Sequence, residues 1–572
     1  MGRREAIVVL FAAVVFISGI VSPPSLLDDV DATYAQIARQ MLETGDYVTA
    51  RLNGVRYLDK PPGQVWMMAA SFAVFGVHDW AARTPMALAC VLLAWVTFRF
   101  GRWAFGEESG YWAGLATATA TGMWLFTRVR IPDPFLTLSI VVSLGCVMHL
   151  LEETPRRRYA LLLGASLGAG TLFKGLPAVV FPGAAVVLFL AWGRVLFRWE
   201  TWRRLLPLTT AASFALVAAP WHVAAVVANP PFVDLTLKSE LGVYRGFFWR
   251  YFVNEHVLRY LGLRYPKDYA TTPKTLYWLG HAIWLFPWSF FLPAALRGPF
   301  GAGDRAGRVR RVCLCWLGFV LVFFAFSTSQ EYYTMSAYPA FALLIGDAVA
   351  RREAWVRGGR LALAPVCGAA AVACLLLLAA SRDVDPTGDI SRSLTHNPGA
   401  YTLSLGHVGD LTLDSFAWLR GPLVLAAVAF AIGVFASARF RLVGLAVMMV
   451  VFFQAARWAM VSFDPYLSSR LLAEAYSSAP PGKLVLDDQY YTFSSLVFYS
   501  DVEPVLLLHG RVNNIEYGSN APDAPDVFLD DSAFAWLWDG DERVYLATEG
   551  AGPEGAVVVA EAGGKRLLVN GR

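Results

Sequence analysis

Charged side chains are scarce in this chain. Asp, Glu, Lys and Arg make up 16% of the 572 residues, against roughly 25% in a soluble domain, which excludes a string of soluble domains. The basic residues sit in short connections between apolar stretches and form no single basic face, so nucleic acid is excluded as a partner. Cysteine is sparse as well. Cys90, Cys146, Cys313, Cys315, Cys367 and Cys374 all lie in or beside apolar runs, leaving the predicted outer segments without a disulfide framework. Cys313 and Cys315 do not have a zinc-ligand spacing and read as packing residues. The chain shows no internal repeat and no low-complexity linker.

What is abundant is apolar sequence. Hydrophobic residues are 56% of the chain, gathered in runs of about 20, enough to cross a bilayer core of about 30 Å as helix. Helices are the expected spanning element because each satisfies its own backbone hydrogen bonds. Arg3 and Arg4 precede the run Ala6 to Val21, as in a signal peptide. Ser22-Pro23-Pro24 follows without a small-x-small cleavage site, so a retained first helix is expected. Further spans read as 83–104, 110–127, 132–151, 159–173, 175–192, 206–228, 276–297, 312–329, 333–350, 361–380, 421–438 and 441–462. The net charge of +4 says little as a sum, but its distribution is informative. With a cytoplasmic N-terminus, the alternate connections that carry Arg156 to Arg158, Arg194 to Arg204, Arg305 to Arg311, Arg351 to Arg360 and Arg439 with Arg441 all fall inside. About thirteen helices and an outward C-terminus follow.

The opposite side then holds segments 25–82, 229–275, 381–420 and the tail 463–572. The expected fold is an all-α polytopic membrane bundle, residues 1–462, with juxtamembrane helices in the outer loops and a small α/β periplasmic domain at 463–572. Strand-like runs such as Lys483 to Leu486 and Val505 to Leu508, separated by polar turns, predict that last domain. In the first outer loop, Ile37, Ala38, Met41 and Leu42 line one face of a helix whose other face carries Gln36, Arg39, Gln40 and Glu43. Such a helix is expected along the membrane surface.

Several polar groups crowd the outer side. Asp28, Asp29 and Asp31 lie within four positions. Helix capping accounts for one of them, while mutual repulsion points to a raised pKa and a general base among the rest. In Asp59-Lys60-Pro61-Pro62 the prolines stiffen the backbone and aim the Lys60 ammonium, a point charge suited to phosphate; a plain turn with a weak surface ion pair is the competing reading. Arg128, Arg130 and Asp133 stand at the mouth of two spans, where arginines also serve as headgroup anchors. Lys174, on the outer side against the inside bias, reads as a ligand group. Glu255 and His256 sit in an aromatic- and arginine-rich stretch, and Asp59 with His256 is the candidate pair for a divalent metal, which the chemistry does not require. Gln330, Glu331, Tyr332 and Tyr333 form a short outer turn suited to hydrogen-bonding a sugar. Together these groups gather over a hydrophobic bundle, as a substrate with a lipid tail, an anionic head and a polar transferable group demands.

The run Asp31 to Asp46, then Arg51 to Pro62, Phe75-Gly76 and Ala82-Arg83, resembles the first outer loop of the lipid A aminoarabinose transferase family. That family belongs to the C-type membrane glycosyltransferases, with the protein O-mannosyltransferases as relatives. Asp133-Pro134, Lys174-Gly175, Ala219-Pro220-Trp221, Glu255-His256, Phe286-Pro287-Trp288 and Tyr338-Pro339 extend the likeness. The resemblance implies an external active site and a polyprenyl-phosphate sugar donor in a bacterial inner membrane. It implies a catalytic carboxylate at Asp29 or Asp31, a second at Asp133, and a phosphate-side Lys60 helped by Lys174. Asp59, Arg83, Arg128 and Arg130 join the substrate-binding set. Val30 and Asp31 replace the family's Asp-Glu, Asp59 stands where Glu is common, and Gln330 and Glu331 stand where basic residues are frequent. The expected activity is inverting transfer to a lipid A, other glycan or protein acceptor; the alternative is a transporter or flippase of polyprenyl-linked sugars.

Overall fold

The computed structural model describes residues 2–266, 272–397, 405–439 and 441–571. Helices dominate. The chain opens with α1 (Arg3–Phe16), α2 (Val30–Thr44), α3 (Gly63–Phe75), α4 (Asp79–Phe105), α5 (Glu107–Thr119), α6 (Thr121–Leu125), α7 (Asp133–Glu152), α8 (Arg157–Lys174) and α9 (Pro177–Trp192). One apolar core joins α1, α4, α5, α7 and the helices Arg305–Phe326 and Tyr338–Ala350. Among the described residues, seven helices are long and apolar enough to cross a membrane, including α4, α7 and Pro207–Ala228. The expected spans 110–127 and 276–297 are broken. Helix α5 stops at Ala120, and the segment after Trp284 turns through Phe286-Pro287. The two breaks answer each other: the Thr121 amide and its hydroxyl both donate to the Phe286 carbonyl, each at 3.1 Å. Backbone freed inside a bilayer must find such a partner within the protein.

The tail forms a six-stranded sheet of β3 (Lys483–Asp487), β4 (Leu506–Leu508), β5 (Phe528–Leu529), β6 (Val544–Thr548), β7 (Val557–Ala562) and β8 (Lys565–Val569), in the order β5-β4-β3-β6-β8-β7. The first four of that order are parallel and the last two antiparallel. In the first outer loop a short hairpin, β1 (Arg51–Leu52) with β2 (Val55–Arg56), leads to the Lys-Pro-Pro segment.

Of the polar face that the amphipathic pattern assigns to helix α2, Glu43 is exposed as predicted, but Gln36 and Arg39 are buried. The tail covers them. Gln36 donates to Glu503 at 2.6 Å, and Arg39 pairs with Asp501 at 2.5 Å while lying over the Phe498 ring. Leu26, Ile37, Met41, Tyr490, Leu496 and Leu507 belong to one core. The loop and the tail therefore pack as one unit above the bundle, and all six cysteines are buried and free, as packing residues are.

Candidate active site

The three clustered aspartates diverge. Asp28 turns to the tail, where Lys565 Nζ and Ser469 Oγ lie 2.6 Å from Oδ2 and the Ser495 amide donates to Oδ1 at 2.8 Å. Asp29 heads α2 but its side chain makes no capping bond, so helix capping does not explain it; its φ of 71° is rare for a residue with a side chain. That conformation is held through its backbone, with the amide donating to the Tyr491 carbonyl at 2.7 Å and the Asp29 carbonyl accepting from Thr33 and Ser494 hydroxyls. The result is an exposed Asp29 side chain. Asp31 is fully buried. It accepts from the amides of Leu27 (3.1 Å) and Arg130 (3.0 Å) and pairs with the Arg130 guanidinium at 3.2 Å.

A second group forms around Glu255. The segment Trp249–Leu258 is wound as a π-helix, whose i to i+5 period sets Arg250 beside Glu255. Glu255 Oε1 lies 2.6 Å from Arg264 and 3.6 Å from Arg250, and Oε2 lies 2.5 Å from Arg259 and 3.6 Å from Lys60. Burial alone would raise its pKa, but Arg264, Lys60, Arg259 and Arg250 hold the carboxyl well below the usual range. Lys60 also pairs with Asp59 at 3.2 Å. Asp59 is 3% exposed, and its Oδ1 is buried without a hydrogen-bond partner. Tyr34, one turn beyond Asp31 on α2, stays protonated: burial and then the nearby Asp59 carboxylate raise its pKa well above the ordinary value. Arg250, Arg259 and Arg264 were not singled out in the sequence, although the arginine-rich run beside Glu255 was the signal for them.

Lys174 and Asp133 meet at 2.5 Å, from the end of α8 and the start of α7. The ammonium lies over the rings of Tyr332 (5.3 Å) and Tyr333 (4.9 Å), and Arg259 donates to the Tyr333 hydroxyl at 2.8 Å, which joins this group to the one around Glu255. Gln330 and Glu331 are buried at the start of the same turn. Two glycines permit the assembly. A Cβ on Gly63 would lie 2.6 Å from the Leu172 carbonyl oxygen, so the residue after Lys60-Pro-Pro must be glycine for α3 to rest on the end of α8. Gly175 has a φ of 92°, and a Cβ there would lie 2.7 Å from His256 Nε2. His256 itself bonds the Tyr251 carbonyl through Nδ1 (2.6 Å) and accepts the Leu176 amide at Nε2 (3.2 Å). Burial lowers its pKa, so it is a neutral imidazole that fixes the Lys174 turn. Both ring nitrogens are thus used, and among the described residues no three His, Cys, Asp or Glu side chains converge as a metal site. Among the described residues the expected metal pair of Asp59 and His256 gains no third ligand.

Arg83, Arg128 and Arg130 do not join Lys60. They form a separate cluster beside Asp31, lining a narrow recess of about 10 Å³ between the end of α1 and the start of α4. The single convergent site expected from the sequence is therefore two charged groups. Helix α2 stands between them, with Asp31 on one and Tyr34 on the other.

The model of the dolichyl-phosphate-mannose-protein mannosyltransferase family matches residues 59–223, a stretch that includes Asp59, Lys60, Asp133 and Lys174. The chain is 29% identical over 336 residues to an undecaprenyl phosphate-alpha-4-amino-4-deoxy-L-arabinose arabinosyl transferase of Pseudomonas aeruginosa, covering 56% of this chain and 55% of that protein. This match spans about half the length of that relative. A protein of the same description from Aeromonas salmonicida is 24% identical over 555 residues, 92% of this chain and 91% of its own. In structure, ArnT from Cupriavidus metallidurans bound to undecaprenyl phosphate superposes with a TM-score of 0.77 at 21% identity, over 99% of this chain and 98% of that one. The fold is that of this bundle with its appended sheet, and the resemblance carried by the first-loop motif is borne out.

Proposed function

We propose that this chain, an aminoarabinose transferase-like protein among the C-type membrane glycosyltransferases, moves a sugar from a polyprenyl-phosphate donor to a lipid or glycan acceptor with inversion. The observation that carries the reading is Lys60, a half-buried ammonium fixed between Asp59 and Glu255 with Lys174 and Asp133 in the adjoining group. The acceptor hydroxyl loses its proton to a carboxylate and attacks the anomeric carbon. The bond from that carbon to the phosphate oxygen breaks, and the electron pair leaves with polyprenyl phosphate. Lys60, with Lys174 behind it, meets the charge that grows on the departing phosphate. The buried, unpartnered Asp59 Oδ1 is ready to accept from a sugar hydroxyl or amine.

Asp29 is the base in this scheme. Its exposure suits proton abstraction, whereas Asp31 is fully buried and bonded through both oxygens, which makes it a positioning residue for Arg130. Asp133 is the next candidate. No metal is needed, since lysine supplies the electrostatic stabilisation. The chain crosses a bacterial inner membrane about thirteen times, with residues 1–462 forming the transferase bundle and 463–572 the periplasmic sheet, so that the site faces the periplasm. Nothing in the comparisons favours a transporter.

The test is reconstitution of the full chain with undecaprenyl-phosphate aminoarabinose and a lipid A acceptor, read by mass spectrometry, beside lipid and glycan profiles of cells with and without the gene. A sugar-bearing acceptor and free undecaprenyl phosphate are expected. Donor translocation across vesicles with no transferred sugar would overturn the reading.

A further inference from the structure

The tail does more than cover the first loop. Its helix Asn513–Ser519 touches the charged group around Glu255. Asn514, the second residue of that helix, sets its side-chain oxygen between two guanidiniums: Oδ1 accepts from Arg250 Nη2 at 3.0 Å and from Arg264 Nη2. The other end of the amide, Nδ2, donates to the Tyr57 hydroxyl at 3.4 Å. The neighbours decide which end is which. A guanidinium only donates, so the end that meets two of them must be the oxygen.

Each of these partners leads to Lys60. Arg264 and Arg250 lie 2.6 and 3.6 Å from Glu255 Oε1, and the second oxygen of that carboxylate lies 3.6 Å from Lys60 Nζ. Tyr57 stands two residues before Asp59, which accepts from Lys60 at 3.2 Å. One amide therefore ties together the two arms that hold the ammonium, the first-loop segment on one side and the π-helical segment on the other. The tail grips the same tyrosine a second time, through the Tyr491 hydroxyl, which donates to that of Tyr57 at 3.1 Å. The helix that carries Asn514 is itself pinned. The Tyr517 hydroxyl donates to the Gly246 carbonyl and accepts from the Arg245 amide, both at 2.9 Å, and the Arg250 guanidinium lies 5.0 Å from the Tyr517 ring centre. Tyr265 donates to Glu516 one residue earlier.

We propose that Asn514 is a positioning residue of the transfer reaction, a tail side chain that sets Glu255 against the Asp59 segment and through them aims Lys60 at the departing phosphate. The inference rests on the reading of Lys60 as the cation at that phosphate. It makes the tail a working part of the site, since the oxygen that orders two of the Glu255 arginines comes from the tail and not from the bundle.

The experiment is steady-state transfer by the full chain in nanodiscs, with undecaprenyl-phosphate aminoarabinose and lipid A as substrates. Asn514→Leu and Asn514→Asp are compared with wild type and Lys60→Ala, and melting temperatures are measured on the same samples. Leucine has nearly the size of asparagine and no acceptor. Misplacing a catalytic group by about 1 Å costs about 100-fold, so Asn514→Leu is expected to lower kcat by about 10- to 100-fold. The donor KM should be kept, as when an interaction acts in the transition state. Asn514→Asp keeps an oxygen for both guanidiniums, and the surplus of cations around Glu255 accommodates its charge, so turnover close to wild type is expected. If Asn514→Leu does not fold, Asn514→Ala takes its place, since it leaves room rather than an apolar group. Wild-type kcat in the variant without an acceptor, or an equal loss in Asn514→Asp, would overturn the proposal, and an inactive Lys60→Ala beside either result would leave the phosphate reading standing. Wild-type turnover by Lys60→Ala would remove both.

Discussion

Replacing Glu255 by Gln removes one negative charge and almost no volume. Four cations, Arg264, Arg259, Arg250 and Lys60, lie within 3.6 Å of that carboxylate. At an effective dielectric of about 20, each such pair attracts by roughly 5–7 kcal/mol before desolvation and cation repulsion are subtracted. Glu255 is only 8% exposed, and removing one member of a buried charge network costs about 3–5 kcal/mol net, a large share of the roughly 5–15 kcal/mol that holds a protein folded. Glu255→Gln is expected to lower the thermal midpoint in detergent clearly and to abolish transfer, because Lys60 loses one of its two anchors. The pH dependence is a second check. A carboxyl whose folded pKa lies below its unfolded value of about 4.3 stabilises fully above that value and loses the contribution as pH falls through the folded one. The gap between wild type and variant should therefore be flat from pH 8 to about 5 and close only in stronger acid. A variant that melts within a degree of wild type at pH 7 and transfers normally would refute the role given to Glu255.

Lys60→Ala should abolish transfer with the protein still folded in membranes, and Lys60→Arg should restore little; wild-type turnover by Lys60→Ala on a polyprenyl-phosphate sugar would remove the phosphate role. Asp29→Asn should cut turnover by about 100- to 10,000-fold at unchanged melting temperature, whereas Asp31→Asn should lower the melting temperature because Arg130 loses its buried partner. Full activity in Asp29→Asn would shift the base to Asp133. Accessibility tags at Arg157, Arg308 and Arg357 should report cytoplasm, and tags near Asp46, Asn397 and the C-terminus the outside. A cytoplasmic C-terminus would defeat both the span count and the placement of the site.

How much was legible depended on whether the governing contact was local. Helices α4 and α7 stand within a few residues of the spans read from hydropathy, because composition alone drives them into a bilayer. The breaks at Ala120 and Phe286 escaped that reading because each is stabilised by the other, 165 residues away in sequence. In the first loop the Lys-Pro-Pro motif was legible from its stiffness, while the polar face of α2 was misread because its partners, Asp501 and Glu503, lie more than 460 residues downstream. Crowding of Asp28, Asp29 and Asp31 suggested one shared purpose, yet the structure turns Asp28 to Lys565 and Asp31 to Arg130 and leaves the Asp29 side chain exposed. Arg250 was hidden for a further reason. Only the π-helical winding brings Arg250 to Glu255, and periodicity counted at 3.6 residues per turn does not see it.

The clasp between the first loop and the tail bears on how the chain is made. Ser25 bonds the Asp464 carboxylate across 439 residues, and Asp28 bonds Lys565 across 537. At roughly 5–20 residues per second of synthesis, the loop that carries Asp29 and Lys60 emerges about 20–90 s before the segment that begins to cover it. During that interval Asp28, Gln36 and Arg39 have none of their final partners, and the apolar face of α2 has no lid. The first catalytic piece to leave the ribosome is among the last to reach its working shape, so a ribosome that stalls anywhere in the bundle leaves an inserted protein with an open, unfinished head.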